Sequence, residues 1–203
     1  MTHVDKKQKH PKTAMVIVAH PDDAEFLCGG TVAKLVQSGW KVYYMLTTSG
    51  DMGSKTMALH VQIYAAASQY DQKTSCVIHT HSTHCVALTL TAPDAELLPA
   101  LTPYFVMKVG HVPVIPYRRP GVPEAAELVA QTIRRYGDAG TPIRAVMLER
   151  LGPNVWHDSP AAAMATLEEL EETARLMLLN PSASDALTEK QIDELRRTFG
   201  ARW

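Results

Sequence analysis

Short apolar runs alternate along this chain with polar links that carry glycine or proline, and the period of the apolar positions changes from run to run. Ala14-Met-Val-Ile-Val-Ala19 is a continuous run rich in β-branched residues, the pattern of a strand buried on both faces. It stops at His20-Pro21, where proline removes a ladder donor. Gly29-Gly30 opens a helix over Thr31 to Ser38, which Gly39 ends. Lys41 to Thr47 is a second strand, and Ser49-Gly50-Asp51-Met52-Gly53 is a turn. Strand, helix and strand with short links make a parallel βαβ unit, for which a right-handed crossover is expected.

Further on, Ala58 to Ser68 reads as a helix and Thr74 to His81 as a strand. Helix returns from about Ser82, and Pro93 to Pro103 is a loop region with a short helical piece. His111-Val-Pro-Val-Ile-Pro-Tyr117 is extended, because its prolines forbid a helix. Pro123 suits the first position of a helix that runs to Tyr136, with Gly137 as its stop. Ala145 to Leu148 is a strand. Ser159 and Pro160 then start a helix whose stripe is Met164, Leu167, Leu170, Ala174 and Met177 or Leu178. On it, Glu168, Glu169, Glu171 and Glu172 read as a solvent-facing charged face. The last helix opens with the capping box Thr188-x-x-Gln191 and directs Ile192, Leu195 and Phe199 inward. The class is α/β or mixed α+β.

Composition narrows the function. With 46% apolar and 20% charged residues over 203 positions, the chain can bury a core. Twenty Lys plus Arg against twenty-one Asp plus Glu leave a net charge of −1, so no global basic field exists for nucleic acid. No apolar run approaches the roughly 20 residues that span a bilayer. The polar stretch Met1 to Lys12 lacks the apolar segment of a secretory signal, and residues 1–13 read as a disordered tail. Cys28, Cys76 and Cys85 form no CxxC pair, which suits reduced thiols and a cytoplasmic location.

His20-Pro21-Asp22-Asp23 stands at the end of the first strand, where open α/β sheets bind ligands. His20 and Asp23 can hold zinc while Asp22 serves as general base. Equally, the two aspartates can simply cap the next helix. Ala19-His-Pro-Asp-Asp23, Gly29-Gly30-Thr31 and Thr48-Ser49-Gly50-Asp51 together resemble the opening of the LmbE-like (PIG-L) N-acetylglucosaminyl deacetylases over about residues 14–53. That resemblance implies a Rossmann-like βαβ unit with zinc on His20 and Asp23 and Asp22 as base.

The second constellation is His79-Thr80-His81. Residues i and i+2 of a strand share a face, so these two rings can converge on one ion; two strand histidines satisfied by hydrogen bonds are the alternative. Around them, Cys76-Val-Ile-His-Thr-His-Ser-Thr-His84 resembles the metal-binding strand of the class II aldolase/adducin family. The likeness continues through Leu101 to Gly110, His111 to Tyr117, Leu167 to Leu176 and Leu187 to Ile192. It covers about residues 54–203 and is strongest toward the 3-oxo-tetronate 4-phosphate decarboxylase branch.

The second resemblance implies a three-layer α/β/α sheet and a carbon–carbon lyase, an aldolase or decarboxylase, acting on a small phosphorylated keto-sugar or sugar acid. It implies zinc or another divalent metal on His79 and His81; His157, which the family pattern does not call for, is a candidate substitute for the third ligand. Substrate contacts are read at Ser54, Lys55, His84 and Tyr104, with support of the metal ligands the alternative for His84 and a subunit contact or core packing the alternative for Tyr104; the family's homotetramer implies assembly with copies of the chain. Two positions depart from the family pattern: Thr56 stands where the catalytic glutamate is expected, and Leu151, in Arg150-Leu-Gly-Pro153, where the third histidine is expected. A zinc deacetylase and a catalytically inactive oligomeric module are the alternative readings.

Overall fold

In the computed structural model, residues 12–18, 23–46, 51–91, 95–180 and 185–203 are described. The chain divides into two compact units, Met1–Met57 and Ala58–Trp203. In the first, β1 (Thr13–Val18), α1 (Asp23–Gln37) and β2 (Lys41–Leu46) form the expected βαβ unit. The strands pair in parallel from Thr13↔Lys41 to Val18↔Leu46.

The α1 helix begins well before Thr31, so Gly29-Gly30 lies inside it rather than opening it. α2 (Asp51–Ala67) likewise absorbs the end of the expected turn. A glycine costs a helix interior only about 1 kcal/mol, which flanking helix-forming residues can outweigh. Gly39, with φ of 78°, ends α1 as expected. The expected tail at residues 1–13 lies largely outside the described residues.

The second unit is built on a mixed sheet in the order β3-β6-β5-β4. Its strands are β3 (Cys76–His79), β4 (Val114–Ile115), β5 (Ala145–Leu148) and β6 (Gly152–His157). The β6 strand pairs antiparallel with both β3 and β5, and β4 pairs parallel with β5. The sequence reading contained no strand at Gly152–His157. Gly and Pro are poor strand formers, yet neighbours on both sides make it a central strand.

Two apolar layers cover this sheet. Val77, Val146, Leu148 and Trp156 pack with Ile63, Ala66 and Ala67 of α2 and with Val129 and Ile133 of α5 (Pro123–Asp138). Ala145, Met147 and Val155 pack with Cys85 of α3 (Thr83–Leu88), Phe105 of α4 (Pro103–Lys108) and Leu167, Leu170 and Ala174 of α6 (Pro160–Leu179). The result is a three-layer α/β/α arrangement. α7 (Glu189–Phe199) adds Ile192 to a third cluster with Ala100 and Val106.

Both expected helix starts are present. Ser159 Oγ accepts from Ala162 N, and Thr188 and Gln191 form a complete capping box. Met164 and Phe199 are exposed instead of inward. Gly137 is not the stop of α5 but lies within it; a Cβ there would meet the Tyr70 ring at 2.5 Å, so close packing selects the glycine. Among the described residues no helix is long and apolar enough to cross a membrane.

Candidate metal and substrate site

β3 delivers His79 to the end of the sheet where β6 begins. The His79 imidazole Nδ1 lies 3.0 Å from the Pro153 carbonyl, which also accepts from Thr80 N at 3.3 Å. Since a carbonyl only accepts, Nδ1 carries the proton and the ring's lone pair belongs to Nε2, the nitrogen a metal would use. His81 follows two residues on, and the two ring centroids are 5.2 Å apart at an interplanar angle of 70°. The rings meet edge to face, but β3 ends at His79, so the strand alternation behind the i, i+2 expectation does not extend to His81.

Backbone packing holds this corner together. Gly152 has φ of 140°, and a Cβ on it would meet the Thr80 carbonyl oxygen at 1.9 Å. The start of β6 thus lies directly against the Thr80–His81 backbone, an approach open only to glycine. Just before it, Arg150 adopts φ of 63°, a region few residues other than Gly, Asn or Asp enter readily. The buried Thr89 hydroxyl accepts from Arg150 N at 2.9 Å and helps hold that turn. Leu151 packs its side chain against the α2–α5 layer, so the position contributes apolar contact and no donor.

One β6 residue stands out beside His79. Asn154 is its direct cross-strand partner, with Val146 on the other side. Residues paired this way in an antiparallel ladder present their side chains on the same face. Asn154 is 0% exposed, and neither its Oδ1 nor its Nδ2 has a hydrogen-bond partner. An unsatisfied buried polar group costs about 1–3 kcal/mol, so native folds seldom keep one without a purpose.

His84 lies in the first turn of α3, oriented by Glu171 from α6. Glu171 Oε1 accepts from His84 N at 2.9 Å and from its Nδ1 at 2.8 Å, and Oε2 accepts from Cys85 N at 3.1 Å. Burial opposes the charge on Glu171, but the His84 and Cys85 amides and side chains prevail and hold its carboxyl below the ordinary range. Burial first, and then the carboxylate, push the Cys85 thiol up, which makes it an inert packing group. The sequence groups Glu171 with a solvent-facing charged face, whereas the structure turns it toward α3; its place four residues after Leu167 and three before Ala174, on the apolar stripe, is the signal that sets it apart from Glu168 and Glu172.

The remaining expected site residues are dispersed. His157 pairs with Cys76, three rungs from the His79–Asn154 pair and so about 10 Å along the ladder. Its Nε2 accepts from Arg144 Nη1 at 2.9 Å, and its Nδ1 donates to Asp158 Oδ1 at 2.7 Å. With both ring nitrogens engaged at the far end of the strand, His157 is not a third ligand beside His79. Tyr104 is exposed on α4, with Lys108 Nζ 5.3 Å from its ring centroid. His60 shares a helical stripe with Ile63 and Ala67; its Nε2 is buried without a hydrogen-bond partner, and burial lowers its pKa. His20 and Asp22 lie outside the described residues. Asp23 begins α1, and Ser54, Lys55 and Thr56 fall within α2 in the first unit; their side chains lie outside the description.

Among the described residues no cluster of three His, Cys, Asp or Glu side chains can hold a metal ion. What the corner offers is two neighbouring imidazoles and an unpartnered carboxamide beside one of them. Nitrogen and carbonyl-oxygen donors of this kind suit a divalent cation.

Comparison with known proteins adds a second line of observation. The sequence profile of the class II aldolase and adducin N-terminal domain matches residues 8–178. A 3-oxo-tetronate 4-phosphate decarboxylase of Cupriavidus necator is 48% identical over 163 residues, covering 76% of this chain and 70% of that protein. The crystal structure of YgbL from Escherichia coli superposes with a TM-score of 0.59 at 30% identity, over 77% of this chain and 68% of that one. A diacetylchitobiose deacetylase of Thermococcus kodakarensis is 46% identical over 43 residues, which is 21% of this chain and 16% of that protein.

Proposed function

The chain belongs to the class II aldolase and adducin family, and from that membership we propose that it is a metal-dependent carbon–carbon lyase that decarboxylates a phosphorylated 3-oxo sugar acid. The observation that carries this reading is the His79–His81 pair, with one ring's tautomer set by Pro153, in a chain so similar to a decarboxylase of that substrate class. In this reading His79 and His81 would hold the divalent cation. When bound, the cation supplies a Lewis acid that draws off the electron pair released as the bond to CO2 breaks.

The chain's own residues do the rest. Pro153 keeps the proton on His79 Nδ1, so that Nε2 would be the nitrogen to hold the cation. Glu171 fixes the orientation of the His84 ring, which is 37% exposed and so within reach of a substrate. Tyr104 offers an exposed phenol for a further substrate contact. Thr56 in place of the expected glutamate bears less on a decarboxylase than on an aldolase, because loss of CO2 from a β-keto acid needs an electron sink more than a base. A homotetramer is part of the same proposal.

The test is CO2 release from 3-oxo-tetronate 4-phosphate by the metal-loaded protein. Activity that falls at least a hundredfold in both His79→Ala and His81→Ala supports the reading. Acetate release from an N-acetylglucosaminyl compound, lost in Asp23→Ala and retained in His79→Ala, would replace it with the deacetylase. Neither product, with no uptake of metal, would leave the inactive module.

A further inference from the structure

The metal reading leaves the position of the third protein donor filled by an apolar side chain, Leu151, packed into the α2–α5 layer. Three observations point to where a donor lies instead. Asn154 is the direct cross-strand partner of His79. Its side chain therefore shares the face of His79. It is fully buried, and both of its amide heavy atoms lack hydrogen-bond partners.

An apolar residue at that place would avoid the cost of two unsatisfied groups, and Asn154's other ladder partner, Val146, and the next residue on the same face of β6, Trp156, are both apolar. A carboxamide is explained if its oxygen has a partner that binds after folding. Asparagine oxygen is an accepted donor to hard and borderline cations.

We propose that Asn154 supplies the third protein donor, through Oδ1, to the divalent cation held by His79 and His81. The inference rests on the lyase reading for the presence of that cation, and it adds a ligand where the family pattern is broken. It also predicts an opposition between stability and binding: removing the amide relieves the metal-free fold and weakens the loaded one.

Calorimetric titration of the metal-free full-length chain with Zn2+, and Co2+ absorption spectroscopy, test it on the parent, Asn154→Val, Asn154→Asp and His79→Ala. Thermal melts without metal establish that each variant folds. The expected result is one ion per parent chain. Asn154→Val should melt at the same or a higher temperature than the parent, bind Zn2+ at least tenfold more weakly, and show a changed Co2+ spectrum. Asn154→Asp, with an anionic oxygen at the same place, should restore or exceed the parent's affinity. Unchanged affinity and spectrum in Asn154→Val, with binding lost in His79→Ala, would overturn the role of Asn154 while leaving the two-histidine site standing. No uptake by the parent, or full uptake by His79→Ala, would overturn both.

Discussion

Glu171 serves several donors at once: two backbone amides at the start of α3, the His84 ring and the Cys85 thiol. Losing its charge leaves those donors at a half-buried junction between α3 and α6. Glu171→Gln should therefore destabilise the protein by about 1–2 kcal/mol at neutral pH, a fall of roughly 2–8 °C in melting temperature. Because the folded state holds this carboxyl below its ordinary pKa, its contribution is complete above the unfolded value, near 4.3, and is lost as pH falls through the lowered folded value. Melts between pH 7 and pH 3 should show a steeper acid loss in the parent than in Glu171→Gln. Parallel curves would show that Glu171 is not held in this way. If His84 also touches substrate, the variant should lower kcat by more than its stability loss explains, and His84→Gln should do the same.

At the scale of elements, the decisive contact is the approach of β6 to the Thr80–His81 backbone. Gly152→Ala places a Cβ 1.9 Å from the Thr80 oxygen and imposes a φ of 140° on a residue that resists it. Strain of this kind costs about 3 kcal/mol or more, and the alternative to unfolding is separation of β6 from the His79–His81 segment. The variant should lose metal affinity and melt at least 6 °C lower; a normal melt with full affinity would show that the corner tolerates the side chain. Gly137→Ala offers a contrast at a distance from the site. Its Cβ would displace the Tyr70 ring, whose hydroxyl donates to Asp138 Oδ1 at 2.6 Å. Stability should fall while Zn2+ affinity stays within twofold of the parent's, and a metal-binding defect would contradict that separation.

For the whole molecule, the proposed assembly is the property most open to direct measurement. Leu176 and Leu179 near the end of α6, and Phe199 at the end of α7, are large apolar side chains exposed on the single chain. They are surface that a second copy can cover. Light scattering coupled to size exclusion should return a mass of several 22.3 kDa chains, four in the tetramer reading. A monomer at the concentration used for activity would remove that part of the proposal. Replacing Leu179 by Asp should shift the mass downward if this surface is the interface, with no loss of secondary structure.

Much of the local architecture was determined by the sequence itself, because its causes act over a few residues. Ser159 and Thr188 cap their helices where the spacing placed them. Tertiary structure alone decided what depends on neighbours distant in the chain. Gly152–His157 becomes a strand only because β3 and β5 flank it, and that pairing puts Asn154 beside His79 and His157 three rungs away. Glu171 stands on the apolar stripe of α6 in the sequence, but its partners, two amides and an imidazole, come only from the packing of α3 against it. Capping and strand alternation are short-range interactions written in residue order, whereas register and cross-strand partnership are settled only when separate elements pack.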